Sequence, residues 1–214
     1  MRETTRKIWK EFCGRYSEME KVNIEGAYHV LLNSARAGRK ILICGNGGSA
    51  SDSVHIVGEL MKGFNKRRPL TAEEKMSFSM VPDGTVLADR LQRAIPAISL
   101  ASQTALITAI GNDVDFSMIF AQQVYAYGVE GDCLIAMSTS GNSLNVRNAA
   151  LVARVKHMKI IGITGEQEST LGSLSDICIR LPASRTFEVQ EYTLPLYHVL
   201  CAMLEEELFG AEEP

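Results

Sequence analysis

The chain has 214 residues, of which 46% are hydrophobic and 22% charged, and a formal net charge of −3; this suits one globular domain with a sizeable core. The faintly acidic balance supplies no global field to attract nucleic acid or an anionic membrane. No apolar run approaches the ~20 residues a membrane helix needs, and Met1 to Lys7 lack the apolar stretch of a secretory signal, so a cytoplasmic protein with no nucleic-acid and no membrane partner is expected.

Residues 3–37 read as two helices. Ile8, Trp9, Phe12 and Tyr16 recur at helical spacing, Ala27, Val30, Leu31 and Ala35 form a second stripe, and Gly38 closes it. This defines a helical N-terminal extension over 1–38, which would pack on the domain or on a partner subunit. From residue 40 the pattern changes. The apolar run 40–44 ends in glycines and suits a buried strand. Further strands are expected near 97–100, 133–137, 159–163 and 177–181, with helices near 49–62, 103–110, 115–128 and 143–157. Residues 70–96 break the rhythm. They hold the turn signal Pro82-Asp83-Gly84 and a short helical stretch over 86–94, and read as an insertion or lid. A last helix is expected over 187–209, kinked where Pro195 removes a backbone hydrogen bond. Strands alternating with helices over 39–210 imply an α/β domain with a central parallel five-stranded sheet covered on both faces. Cys13, Cys44, Cys133, Cys178 and Cys201 are scattered and form no Cys-x-x-Cys pair; they are expected to be reduced, mostly buried hydrophobes.

Two loops carry the chemistry. Ser138-Thr139-Ser140-Gly141-Asn142-Ser143 sits between an expected strand and helix. Its hydroxyls donate to phosphate oxygens, its glycine admits close approach, and the helix start adds free N–H groups and the positive dipole end. The alternative is a serine cap that merely starts a helix. The segment lacks the Gly-x-x-x-x-Gly-Lys-Ser/Thr pattern of a P-loop. The first loop, Gly45-Asn46-Gly47-Gly48-Ser49, obeys the same logic but does not complete a dinucleotide fingerprint, and no acidic residue ends the next strand; no nucleotide cofactor is expected. Helix 49–62 carries His55 and Glu59 four residues apart on one face, and the last helix carries Gln190 and His198 eight apart. Alone, the first pair suits a surface contact and His198 a satisfied core histidine. With an anion loop beside them they become candidates for proton transfer or metal binding.

These segments, with Arg68-Pro69, Gly111-Asn112-Asp113 and Val189-Gln190-Glu191, resemble the SIS (sugar isomerase) family, and within it the phosphoheptose isomerases, over about 40–69 and 97–209. The resemblance implies an SIS-type three-layer sandwich and isomerisation of sedoheptulose 7-phosphate to D-glycero-manno-heptose 7-phosphate through an enediol. It implies Glu59 and His198 as the acid–base pair. Sugar-phosphate contacts would come from Asn46, Gly47, Gly48, Ser49, Glu59, Asn112, Asp113, Ser138, Thr139, Ser140, Ser143 and Gln190. Zinc would bind His55, Glu59, Gln190 and His198, and the assembly would be a homotetramer with sites at subunit contacts. Two alternatives share the serine loop: a non-catalytic phosphosugar-binding or replication-initiator-binding regulator, and an isomerase of a different sugar phosphate. The similar initiator-binding protein lacks the glutamate and histidine that this chain carries as Glu59 and His198. The chain also departs from the family pattern at Ser49-Ala50-Ser51, at Phe187 where a substrate-contacting aspartate is expected, at Pro195 and in the 70–96 segment.

Overall fold

The computed structural model describes residues 1–210. Two helices, α1 (Glu3–Arg15) and α2 (Ile24–Arg36), precede strand β1 (Ile41–Cys44). Then follow α3 (Gly48–Met61), α4 (Ala72–Ser77), α5 (Gly84–Arg90), β2 (Ala97–Ser99), α6 (Thr104–Asp113), α7 (Ala121–Tyr127) and β3 (Cys133–Met137). The chain continues through α8 (Leu144–Val155), β4 (Lys159–Thr164), α9 (Thr170–Leu174), β5 (Ile177–Arg180) and α10 (Thr186–Phe209). The five strands form one parallel sheet in the order β2-β1-β3-β4-β5, as the alternating pattern implied.

The apolar strands are buried because both faces of the sheet are covered. Ile41, Ile43, Cys133, Ile135, Met137, Ile161 and Ile163 point into one apolar layer. There they meet Phe12 of α1, Tyr28 and Leu31 of α2, Ile56 and Leu60 of α3 and Leu196 and Leu200 of α10. Leu42, Cys44, Leu134, Ala136 and Ile160 point the other way, onto Ile110, Val124, Val146 and Ala150 of α6, α7 and α8. The period-2 alternation of each strand thus sorts its residues between two helical layers.

The structure departs from the sequence pattern in a few places. The expected helix over 115–128 is split into a 3-10 turn, Phe116–Met118, and α7, because the Asp115 carboxylate accepts from the Ser117 N–H and starts a separate turn. The expected helix over 86–94 begins at Gly84 and stops at Arg90, since Gln92 forms an antiparallel bridge with Pro69. That bridge closes the 70–96 excursion on itself as a small helical hairpin, held by a Thr71/Glu74 capping box and a Lys75–Asp89 ion pair of 2.6 Å. Pro195 lies inside an unbroken 24-residue helix; the carbonyl its ring leaves unpaired belongs to Glu191, an exposed residue within reach of water. All five cysteines are free, and Cys44, Cys133 and Cys201 are buried. Burial pushes the thiols of Cys44 and Cys201 up to about 12, well away from nucleophilic thiolates.

Candidate active site

The strands β1 and β3 are neighbours, so the two loops at their C-terminal ends lie side by side. A reciprocal amide pair joins them: the Asn46 amide donates to Asn145 Oδ1 and the Asn145 amide to Asn46 Oδ1, both at 2.9 Å. The hydroxyls of Ser138 and Ser143 are 3.0 Å apart. Ser143 occupies the N-cap of α8 but makes no side-chain cap, and Gly47 opens α3 with a positive φ of 55°. The serines are therefore not spent on starting the helix. Gly141 turns at φ 67°, where a Cβ would stand 2.1 Å from Ser169 Oγ. Around these loops lies a cleft of about 230 Å³, lined by Asn46, Gly47, Gly48, Ser49, Met137, Ser138, Thr139, Ser143, Thr186 and Gln190. Gln190 presses on bare backbone, since a Cβ on Gly48 would come within 2.6 Å of its Nε2.

About two turns further along the same helices lies a second polar group. His55 Nε2 is 3.1 Å from Glu59 Oε1, and His55 Nδ1 is 2.8 Å from the Tyr197 hydroxyl, which also stands 3.5 Å from Asp52 Oδ1. The His55 and His198 rings meet edge to face with centroids 5.1 Å apart. Glu59 Oε2 and His198 Nε2 are buried and have no hydrogen-bond partner; the Lys62 ammonium is 3.8 Å from that carboxylate oxygen. Burial and the adjacent His55 hold His198 below the usual imidazole range, against the opposing pull of Glu59. Burial, then Asp52, push the Tyr197 phenol far above its usual range. A cleft of about 290 Å³ adjoins His198 and is lined in part by Arg15 of α1, by Tyr16 just past its end and by Phe64 and Asn65.

The end of α3 that presents Glu59 is clamped by a buried ion pair. The Arg68 guanidinium donates to Glu205 (2.8 Å) and to the carbonyls of Leu60 (2.8 Å) and Glu59 (3.0 Å). Those carbonyls belong to the last turn, where the helix itself offers no donor.

The structure thus gathers Asn46, Gly47, Gly48, Ser49, Ser138, Thr139, Ser143 and Gln190 around one cleft and His55, Glu59 and His198 in a second group. Ser140 is exposed and its hydroxyl accepts from the Asn142 N–H. Asn112 and Asp113 are exposed at the end of α6, hydrogen-bonded to each other, and do not line the serine cleft of their own chain. Phe187 is 53% exposed beneath the Arg185 guanidinium. The expected zinc ligands do not form a set as placed. The atoms of Glu59 and His198 that make no hydrogen bond would suit a cation, but among the described residues no three His, Cys, Asp or Glu side chains are arranged to hold one, and Gln190 lies against Gly48. Asn145, Thr186, Asp52 and Tyr197 are site residues the sequence reading passed over. The Asn145 link spans 99 positions and leaves no local signal.

The SIS domain family matches residues 95–204 of this chain, and a second SIS domain match covers 7–94. Phosphoheptose isomerase from Rhodospirillum rubrum is 37% identical over 185 residues, 86% of this chain and 86% of that protein. Among solved structures, a phosphoheptose isomerase from Neisseria gonorrhoeae is 30% identical with a TM-score of 0.72, covering 95% of this chain and 98% of that one. One from Francisella tularensis is 29% identical with a TM-score of 0.73, covering 95% and 94%. With similarity over 86% of its length in sequence and 95% in backbone, this chain belongs to the SIS-domain family, in its phosphoheptose isomerase branch.

Proposed function

We propose that this protein is an aldose–ketose isomerase, an intramolecular oxidoreductase converting sedoheptulose 7-phosphate to D-glycero-manno-heptose 7-phosphate. The observation that carries the proposal is the pair of orphaned buried atoms, Glu59 Oε2 and His198 Nε2, on the two helices whose N-termini border the hydroxyl-lined cleft. Buried polar atoms that make no hydrogen bond call for an explanation, and the oxygens of a bound sugar supply one. The names of the relatives support the choice of sugar.

The phosphate binds to the Ser138, Thr139 and Ser143 hydroxyls and the start of α8, and this remote contact orients the reacting carbons. Glu59 takes a proton from C1 of the open-chain ketose while the His198 imidazole donates one to the C2 oxygen, giving an enediol. His198 then recovers a proton from the C1 oxygen, Glu59 returns its proton to C2, and the aldose is formed with no net gain or loss. An imidazole kept neutral by burial is suited to this role, because it polarises a carbonyl by donating a hydrogen bond without carrying charge.

Gln190 and His198 are eight positions apart, about 12 Å along the axis at ~1.5 Å per residue. We therefore propose a homo-oligomer, a tetramer, in which the serine cleft of one chain faces the Glu59–His198 group of another. Asn112 and Asp113, outside the cleft of their own chain, would contact sugar at such a junction. A cytoplasmic location belongs to the same proposal; among the described residues no helix is long and apolar enough to cross a membrane. Zinc on His55, Glu59, Gln190 and His198 stays a proposal and is assigned no step; these side chains would first have to turn toward one another, Gln190 away from Gly48. The decisive test is Glu59→Gln. Turnover of sedoheptulose 7-phosphate should fall at least ~100-fold, the size of a general-base contribution, while calorimetric binding of the sugar phosphate survives. Undiminished turnover would remove Glu59 from the reaction.

A further inference from the structure

Helices α4 and α5 and the 3-10 turn between them, Phe78–Met80, bury only Gly84 and Ala88. Six large apolar side chains stand out from the same hairpin. Met76 and Met80 are 70% and 88% exposed, and Val81, Val86, Leu87 and Leu91 are about half exposed. Ordering such a segment costs backbone entropy that two small buried residues do not offset, and an exposed apolar patch of this kind marks a surface that another molecule covers. We propose that the hairpin is a docking arm for a second copy of this chain, and that it seats on the rim of that copy's serine cleft, at Glu166 and Glu168. This deepens the shared-site reading and rests on it for its consequence in turnover.

Position identifies the partner. The hairpin is rooted on the bridge between Pro69 and Gln92, next to Arg68, whose guanidinium holds the carbonyls of Leu60 and Glu59. It therefore rises from the end of α3 that carries Glu59. A second chain that brings its serine cleft to this Glu59 brings the rim of that cleft to the hairpin.

Charge identifies the seat. On α5, Val86 and Arg90 lie one turn apart on the side away from the buried Gly84 and Ala88, with Leu87 beside them. Arg90, and Arg67 at the root of the hairpin, are exposed and pair with no acidic side chain among the described residues. The rim carries the opposite sign. Its loop, residues 165–170, runs along the serine loop: the Gly165 N–H donates to the Thr139 carbonyl at 3.0 Å, and the Thr170 N–H to Asn142 Oδ1 at 3.1 Å. Between those anchors Glu166 and Glu168 are exposed and meet no cation among the described residues. Two uncompensated carboxylates beside a cleft that takes a phosphate repel the ligand. Arginines from a second copy neutralise them and border an apolar contact, which gives the polar rim and buried centre of a specific interface.

The test is sedimentation velocity on full-length chains, with far-UV circular dichroism to show that each variant is folded. Met80→Gln with Val86→Gln and Leu87→Gln removes the apolar contact and keeps a good helix former at each position. The dissociation constant of the assembly should rise about tenfold or more, the effect of losing well-packed interface side chains, and turnover of sedoheptulose 7-phosphate should fall with the assembly. Arg67→Glu with Arg90→Glu should weaken the assembly through charge alone. Adding Glu166→Arg and Glu168→Arg to that same chain should restore it, because the charges then meet with their signs exchanged. A wild-type chain that sediments as a monomer, a triple glutamine variant that dissociates like the wild type, or a charge reversal that the second pair does not rescue would overturn the proposal. Assembly that depends on the hairpin in a chain that does not isomerise this sugar would uphold the docking arm and remove the isomerase reading. Turnover that survives dissociation would uphold the arm and remove only the shared site.

Discussion

Asn145 shows how one side chain can hold a binding cleft in shape. Its carboxamide pairs with Asn46 across the two glycine- and serine-bearing loops, and its Oδ1 also accepts from the Val146 N–H at 2.9 Å. Replacing it with alanine strands the Asn46 amide and frees the first loop from the second. Asn145→Ala should raise KM for the sugar phosphate about tenfold and lower stability by about 1–3 kcal/mol, the cost of an unmet polar group; steady-state kinetics and urea unfolding measure the two effects. The residues legible from sequence were those whose own neighbourhood announced them. Ser138, Thr139 and Ser143 cluster in a hydroxyl-rich loop, and His55 with Glu59 share a helical face. Asn145 and Tyr197 act through partners 99 and 142 positions away, so local pattern says only that one starts a helix and the other fills a core.

The last helix joins the site to the end of the fold. Glu205, Glu206 and Glu207 follow one another on this helix, and all three are buried because each has its own cations or N–H groups. Glu206 pairs with Lys66, and Glu207 with the N-terminal segment and Arg36. Glu205 accepts from Arg68 and from the N–H groups of Phe64, Asn65 and Lys66, at 2.7–3.2 Å. Arg68→Met would leave this carboxylate buried without its cation and strip the α3 end of two donors. We expect a loss of roughly 3–5 kcal/mol in urea unfolding, the cost of breaking a buried pair. Replacing Glu205 with leucine as well should not restore the loss, because the three N–H groups would then be unmet; full recovery would mean the pair alone matters. The arginine was legible in sequence only as part of the Arg68-Pro69 pair. Its mechanical role depends on a carboxylate 137 positions away.

At the scale of the whole molecule, the sheet was the most legible feature. A parallel strand buried on both faces must be apolar throughout, and runs such as Ile41–Cys44 and Cys133–Met137 have no other natural reading beside glycine and serine turns. Strand order was not legible, since it depends on which helices cover which face. Nor did the sequence pattern reveal that the serine cleft and the Glu59–His198 group occupy different stretches of the same two helices. That separation makes a specific prediction for the assembly. If a working site takes its serine loop from one chain and its acid–base pair from another, two inactive variants can rescue each other. Glu59→Gln keeps its loop, and Ser138→Ala with Ser143→Ala keeps its acid–base pair. Co-expressed in equal amounts with different tags and purified as mixed oligomers, they should recover about a quarter of wild-type turnover, the share of junctions in which both halves are intact under random association across a symmetric interface. Oligomers of either variant alone should stay inactive. If each site were complete within its own chain, every chain in the mixture would still carry one broken half and no activity would return.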